Sequence, residues 1–209
     1  MIGWMIISFR HNFIYFRPKK TGSTTIMEVL RRNLGEGDIS RGKDVPNHPE
    51  VHGRTHLTAA EIRKVVPAEF WERAFKFASE RHPYEKVVSL AYFQLGKQQR
   101  RRQKDQEHAI KRFGHVLERV VNAGEYRGFQ YYSIEGQVVA DAFIRLEFLK
   151  ADFEQIANRL GVSVPEELPH AKAMYRQDGR SARDILSEEQ KRTVFEQCRE
   201  EFELLGYKP

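Results

Sequence analysis

A chain of 209 residues with 40% hydrophobic and 31% charged content is long enough for one domain with a substantial core and short for two. No apolar run reaches the roughly 18 residues of a membrane span, and a single cysteine, Cys198, excludes an intramolecular disulfide and makes a reducing cytoplasm the simplest compartment. The formal net charge of +6 favours an anionic ligand or partner, whether a phosphorylated nucleotide, an acidic glycan or nucleic acid.

In chain order, Met1–Ile7 has no basic region before its apolar stretch and no small-residue cleavage site after it, so it reads as part of the fold. Phe13–Phe16 predicts a short buried strand, ended by Pro18. Ile26, Val29, Leu30 and Leu34 recur at helical spacing, with Thr25 and Glu28 able to form a capping box and Gly35 available as a stop. Gly35–Gly53 reads as a loop, and Thr58 with Glu61 caps a helix over 58–66. A second strand, Phe75–Ala78, leads through Arg81-His82 to Pro83, a tolerated first helical residue. Tyr84, Val87, Val88, Ala91, Tyr92 and Leu95 then trace an amphipathic helix.

Lys97–Arg112 is strongly basic and reads as an exposed helix or mobile insertion, with 97–125 as a whole a basic helical insertion. Tyr126–Tyr132 is expected near a surface or cleft. Phe143–Leu146 is a third strand, followed by a helix through Phe153, Ile156, Ala157 and Leu160 that Gly161 closes. Residues 162–186 read mainly as loop. Ser187–Leu205 reads as one last helix, capped by Ser187 and Gln190, with Phe195, Cys198, Phe202 and Leu205 on one face. Strand-to-helix units without repeats or linkers indicate a single α/β domain over 1–209 with a central parallel sheet.

Two segments carry phosphate-loop character. Pro18-Lys19-Lys20-Thr21-Gly22-Ser23-Thr24-Thr25 lies between a strand and a helix N-terminus, where backbone N–H groups and the helix dipole suit an anion. Gly22 permits close backbone approach, at least three hydroxyls are available as donors, and the lysines add full charge. A turn with a Ser/Thr helix cap would use the same residues. The second segment, Gly37–Asp44, matches Gly-x4-Gly-Lys, but Asp44 stands in place of the Mg2+-binding hydroxyl and no strand precedes it. It is rejected as a Walker-type loop.

Residues 13–25, Phe-Ile-Tyr-Phe-Arg-Pro-Lys-Lys-Thr-Gly-Ser-Thr-Thr, resemble the 5′-phosphosulfate loop of sulfotransferases that use 3′-phosphoadenosine-5′-phosphosulfate (PAPS). The stretch from Phe75 to Leu90 is similar to the 3′-phosphate motif of the same family: a strand, then Arg81, a nearby Pro83, and Ser89 eight positions after the Arg. His56-Leu57-Thr58-Ala59, Ile144–Leu149, Asp152-Phe153, Leu168-Pro169-His170 and Leu205-Gly206-Tyr207 are similar to the bacterial, carbohydrate-type branch. Departures are Lys20-Thr21 for the usual Thr-Ala, Arg17 where an apolar or small residue is common, Glu80 before Arg81, and Lys172 where Asn is frequent.

The resemblance implies a P-loop-like three-layer α/β sandwich, with helices on both sides of a central parallel sheet. It assigns Lys19 to the bridging oxygen of the donor, Thr21, Gly22, Ser23, Thr24 and Thr25 to the 5′-phosphate, Arg81 with Ser89 to the 3′-phosphate, and counts Lys20 with them among the donor-binding residues. His56 is the first choice for the base that takes the acceptor proton, with His52 and Glu147 as alternatives. His82 is expected to shape the turn beside Arg81. The expected donor is PAPS without a metal, the acceptor a hydroxyl, most simply of a glycan, and the setting a bacterial cytoplasm without a stable nucleic-acid partner. Competing readings are a nucleotide kinase or other nucleoside-triphosphate enzyme, which lacks its full Walker signature here, and a nucleic-acid module built on Arg100-Arg101-Arg102.

Overall fold

The structure is a computed structural model that describes residues 4–41, 44–45, 47–102, 107–169 and 179–209. Gly42 and Lys43 of the rejected segment, His170, Lys172 and the side chains of 98–111 in the basic run lie outside the described residues. The chain begins β1 (Trp4–Ser8), β2 (Phe13–Phe16), α1 (Ser23–Arg31), β3 (Ile39–Arg41), α2 (Ala59–Val65), α3 (Ala68–Arg73) and β4 (Phe75–Glu80). It continues with α4 (Pro83–Arg102), α5 (Glu107–Ala123), β5 (Ser133–Ile134), β6 (Gln137–Val138), β7 (Ala142–Arg145) and α6 (Leu149–Leu160). Three short helices close it: α7 (Ala182–Ile185), α8 (Glu188–Gln197) and α9 (Arg199–Leu205). Two compact units emerge, one from Met1–Glu80 with Gly128–Ala171, the other from Arg81–Arg127 with Lys172–Pro209.

The first unit is an α/β sandwich on a five-stranded sheet in the order β3-β1-β2-β4-β7. The three strands read from the sequence, β2, β4 and β7, run parallel, with Tyr15 opposite Phe77 and Phe77 opposite Ala142. The sheet is nevertheless mixed, because β1 pairs antiparallel with both β2 and β3. Alternation along the strands sends neighbouring side chains to opposite faces. Ile7, Ile14, Phe16 and Ala78 pack with Ile62 of α2 and with Phe70 and Trp71 of α3. Ile6, Phe13, Tyr15, Phe77 and Ile144 pack with Ile26, Val29 and Leu30 of α1 and with Phe153 and Ile156 of α6. Helix, sheet and helix therefore form three layers.

Several elements follow their local signals. Thr58 and Glu61 make the expected capping box on α2, and Gly161, left-handed at φ +63°, ends α6. Others depart from the reading. Gly22, not Thr25, is the N-cap of α1, which places Thr25 and Glu28 inside the helix. The expected Gly35–Gly53 loop contains β3 and a 3-10 turn at Pro49–Val51. Tyr131 and Tyr132 are core residues, and the chain after them turns back in the β5–β6 hairpin over left-handed Glu135 and Gly136.

The second unit is helical. Val87, Val88, Ala91 and Leu95 of α4 pack with Val116, Leu117, Val120 and Val121 of α5 and with Tyr126, Val194, Cys198 and Phe202. The second half of 107–123 thus supplies core, and Tyr126 is fully buried where a cleft position was expected. Ser187 and Gln190 form their capping box on α8. The single last helix is broken at Cys198, whose φ of −121° leaves the helical range, and α9 starts afresh from it. Helix α7, capped by Ser181 with Asp184, lies in a stretch read as loop. Lys86 and Glu201 form a buried ion pair at 3.8 Å. Among the described residues no helix is long and apolar enough to cross a membrane.

Candidate functional site

Strand β2 delivers the chain into Arg17–Gly22, where two residues, Lys20 at φ +64° and Gly22 at φ +71°, adopt left-handed backbone on either side of Thr21. Lys20 pays about 1 kcal/mol for that conformation, so its surroundings must hold it there. Thr21 supplies the anchor. It is fully buried, and its hydroxyl donates to the Pro18 carbonyl at 3.1 Å. With its one proton so used, it accepts from Ser79 at 2.7 Å, and Ser79 accepts from the Tyr15 hydroxyl at 2.7 Å. A one-way chain of hydroxyls, Tyr15 to Ser79 to Thr21 to Pro18, ties the loop to β2 and β4. Burial pushes the Tyr15 phenol above its ordinary value, which keeps it a neutral donor.

Helix α1 starts at Gly22 with no side-chain cap on its first turn. The left-handed backbone at Gly22 strains any side chain placed there, and a Cβ would stand 2.5 Å from Leu146 Cδ1, so the tip of that leucine would have to shift as well. Three of the four loop hydroxyls, read from the sequence as donors to a ligand, are bonded within the protein. Thr21 is held as above, Thr25 donates to the Pro169 carbonyl at 2.9 Å, and Ser23 accepts from Arg17 Nε at 3.1 Å. Ser23 and Thr25 are buried; Lys19, Lys20 and Thr24 are partly exposed. The loop thus presents backbone N–H groups at a helix start and two lysines, a combination suited to a phosphate.

His56 lies just before α2, and its Nδ1 is 2.8 Å from the Arg17 carbonyl. A carbonyl only accepts, so Nδ1 carries the proton and Nε2 is the basic nitrogen of the neutral ring. The ring meets the edge of Tyr131 at a centroid distance of 6.3 Å. His52 and Glu147, the alternatives to His56, are both exposed. Arg17 was legible only as a departure from the family pattern. Its guanidinium is largely buried, which pulls its pKa below the ordinary value, partly offset by Tyr15.

In the second unit, Arg81 precedes α4 and its Nη2 binds Glu85 Oε2 at 2.9 Å. Glu85 Oε1 accepts from the Ala182 N–H at 3.0 Å. Ser89, partly exposed, stands four residues after Glu85 and so on the same helix face. His82 stacks among Tyr84, Phe202 and Tyr207 and meets the Lys208 carbonyl at 3.0 Å, the turn-shaping place expected for it. Glu80 is fully buried at the end of β4. Among the described residues no group of three His, Cys, Asp or Glu side chains is placed to hold a metal ion.

A family model described as the sulfotransferase family matches residues 4–208, nearly the whole chain. No curated protein and no solved structure matches the chain.

Proposed function

The chain belongs to the sulfotransferase family, and from that premise we propose that it transfers a sulfuryl group from PAPS to a hydroxyl of a carbohydrate acceptor. The observation that carries this reading is the His56 bond to the Arg17 carbonyl, which sets a base of defined tautomer against the residue that opens the phosphate loop. The loop also fits a phosphosulfate by its own features. Helix α1 has no side-chain cap, Gly22 holds a left-handed backbone that strains any side chain, and the buried Arg17 Nη1 has no hydrogen-bond partner among the described residues.

PAPS supplies an electrophilic sulfur bonded to a good phosphate leaving group. The residues divide the remaining tasks. Backbone N–H groups of 19–24 hold the 5′-phosphate, that of Thr25 being given to the Gly22 carbonyl, and Lys19 neutralises the charge that collects on the bridging oxygen as its bond to sulfur breaks. His56 Nε2 takes the acceptor's proton as the new oxygen–sulfur bond forms, giving the sulfate ester and 3′,5′-adenosine bisphosphate. Arg81 and Ser89 are assigned the 3′-phosphate on their motif spacing, and the planar guanidinium with its several donors suits a phosphate even while Glu85 orients it. The acceptor class rests on the branch that the motifs resemble and on the net charge of +6, which favours an acidic glycan.

Thermal stabilisation by 3′,5′-adenosine bisphosphate, measured without metal beside ADP and AMP, tests the donor. Binding to the folded state alone raises the unfolding midpoint. The bisphosphate is expected to raise it clearly and the other two to fall well short; equal shifts for all three, or none, would sink the reading. The base has a separate test. Asn at position 56 keeps an N–H for the Arg17 carbonyl but cannot accept the proton, so His56→Asn should lower kcat about 10²–10⁴-fold. Donor affinity should stay as in wild type.

A further inference from the structure

Arg17 is bound at both ends. Its carbonyl accepts from His56, and its Nε donates to Ser23, the first residue of α1. The rest of its guanidinium is unused by the protein: Nη1 is buried without a hydrogen-bond partner, and among the described residues no carboxylate forms an ion pair with it. A largely buried guanidinium that lacks an anion is costly to keep, and burial already weakens its hold on the proton. Buried polar atoms are nearly always satisfied, so an orphaned guanidinium nitrogen beside a phosphate-type loop calls for an anionic ligand.

In-line transfer identifies which anion. The sulfur must lie between the acceptor oxygen, which meets the base, and the leaving oxygen, which belongs to the phosphate at the start of α1. Arg17 spans those two places, with His56 on its carbonyl and Ser23 on its side chain. We propose that Arg17 holds the sulfonate oxygens of the donor, a role that rests on the sulfotransferase reading above. Negative charge on those oxygens is met by a fixed, planar pair of donors, so Arg17 distinguishes the loaded donor from the spent bisphosphate, which lacks the sulfonate. The loaded form binds with an extra contact, and the product leaves without it.

Calorimetric titration of wild type, Arg17→Met and Arg17→Lys with PAPS and with 3′,5′-adenosine bisphosphate, in the absence of acceptor, decides the matter. A lost charge-assisted contact should weaken PAPS binding on the order of ten- to a hundredfold in Arg17→Met, with bisphosphate binding changed by no more than about threefold. Arg17→Lys keeps charge without the fork and should fall between. The unfolding midpoint of unliganded Arg17→Met should not drop, because the substitution removes a desolvated cation. Equal losses for both ligands would place Arg17 on the phosphate and overturn the assignment. So would unchanged binding of both, or a lowered midpoint with no change in the ratio of the two affinities; if Arg17→Met does not fold, the same ratio is read from Arg17→Lys. Wild type that binds neither nucleotide would instead defeat the sulfotransferase donor reading itself.

Discussion

Lys19→Ala is expected to lower kcat about 10²–10³-fold, the usual cost of removing one preorganised group from developing negative charge. Lys19 sits partly exposed in a loop whose conformation is set by other residues: Thr21 buried on Pro18 and Ser79, and Gly22 packed against Leu146. The unfolding midpoint should therefore move little, since surface substitutions away from such anchors stay within about 0.5 kcal/mol. Steady-state kinetics with a saturating donor, beside thermal unfolding of the same preparations, check both halves. A variant that keeps near-normal turnover would remove Lys19 from the leaving oxygen. One that loses turnover and stability together would make it a structural residue.

The second large effect lies in the helical unit. Lys86 and Glu201 face each other at 3.8 Å with side-chain exposures of 0% and 1%. Removing one partner takes the facing opposite charge away from a buried one, which costs about 3–5 kcal/mol. Lys86→Met and Glu201→Leu should each lower stability by that amount in urea denaturation. The double substitution should recover much of it, because an apolar pair of similar volume needs no compensation. Additive losses would show that the two charges are stabilised independently by other groups. The effect should also resist salt, which screens exposed pairs and not buried ones.

What could be read from the chain and what could not divide along physical lines. The strand Phe13–Phe16, the cap at Thr58 and the stop at Gly161 act within a few residues, so their patterns survive in one dimension. β3 has only Ile39–Arg41, too short to alternate, and is a strand because β1 pairs with it. β1 itself is a continuous apolar run that periodicity alone does not assign. At the site, motif spacing located the loop, but not the inward engagement of its hydroxyls. That depends on Ser79, 58 residues from Thr21, and on Pro169, 144 residues from Thr25. Arg17 shows the same limit. Its residue type was visible as unusual, while the burial that leaves its Nη1 orphaned belongs to the folded state.

The hydroxyl chain from Tyr15 to Pro18 has a bearing on how such a sequence can drift. Each member donates its one proton to the next, so loss of the hydroxyl at 79 or 21 strands the buried donor before it, whereas joint replacement by apolar groups of like shape strands no hydroxyl and costs only the donor to the Pro18 carbonyl. Positions 15, 79 and 21 are therefore inherited as a set. A descendant with Phe, Ala and Val at all three would keep its loop more readily than one with the change at 79 or at 21 alone, although the three residues lie on two strands and a turn.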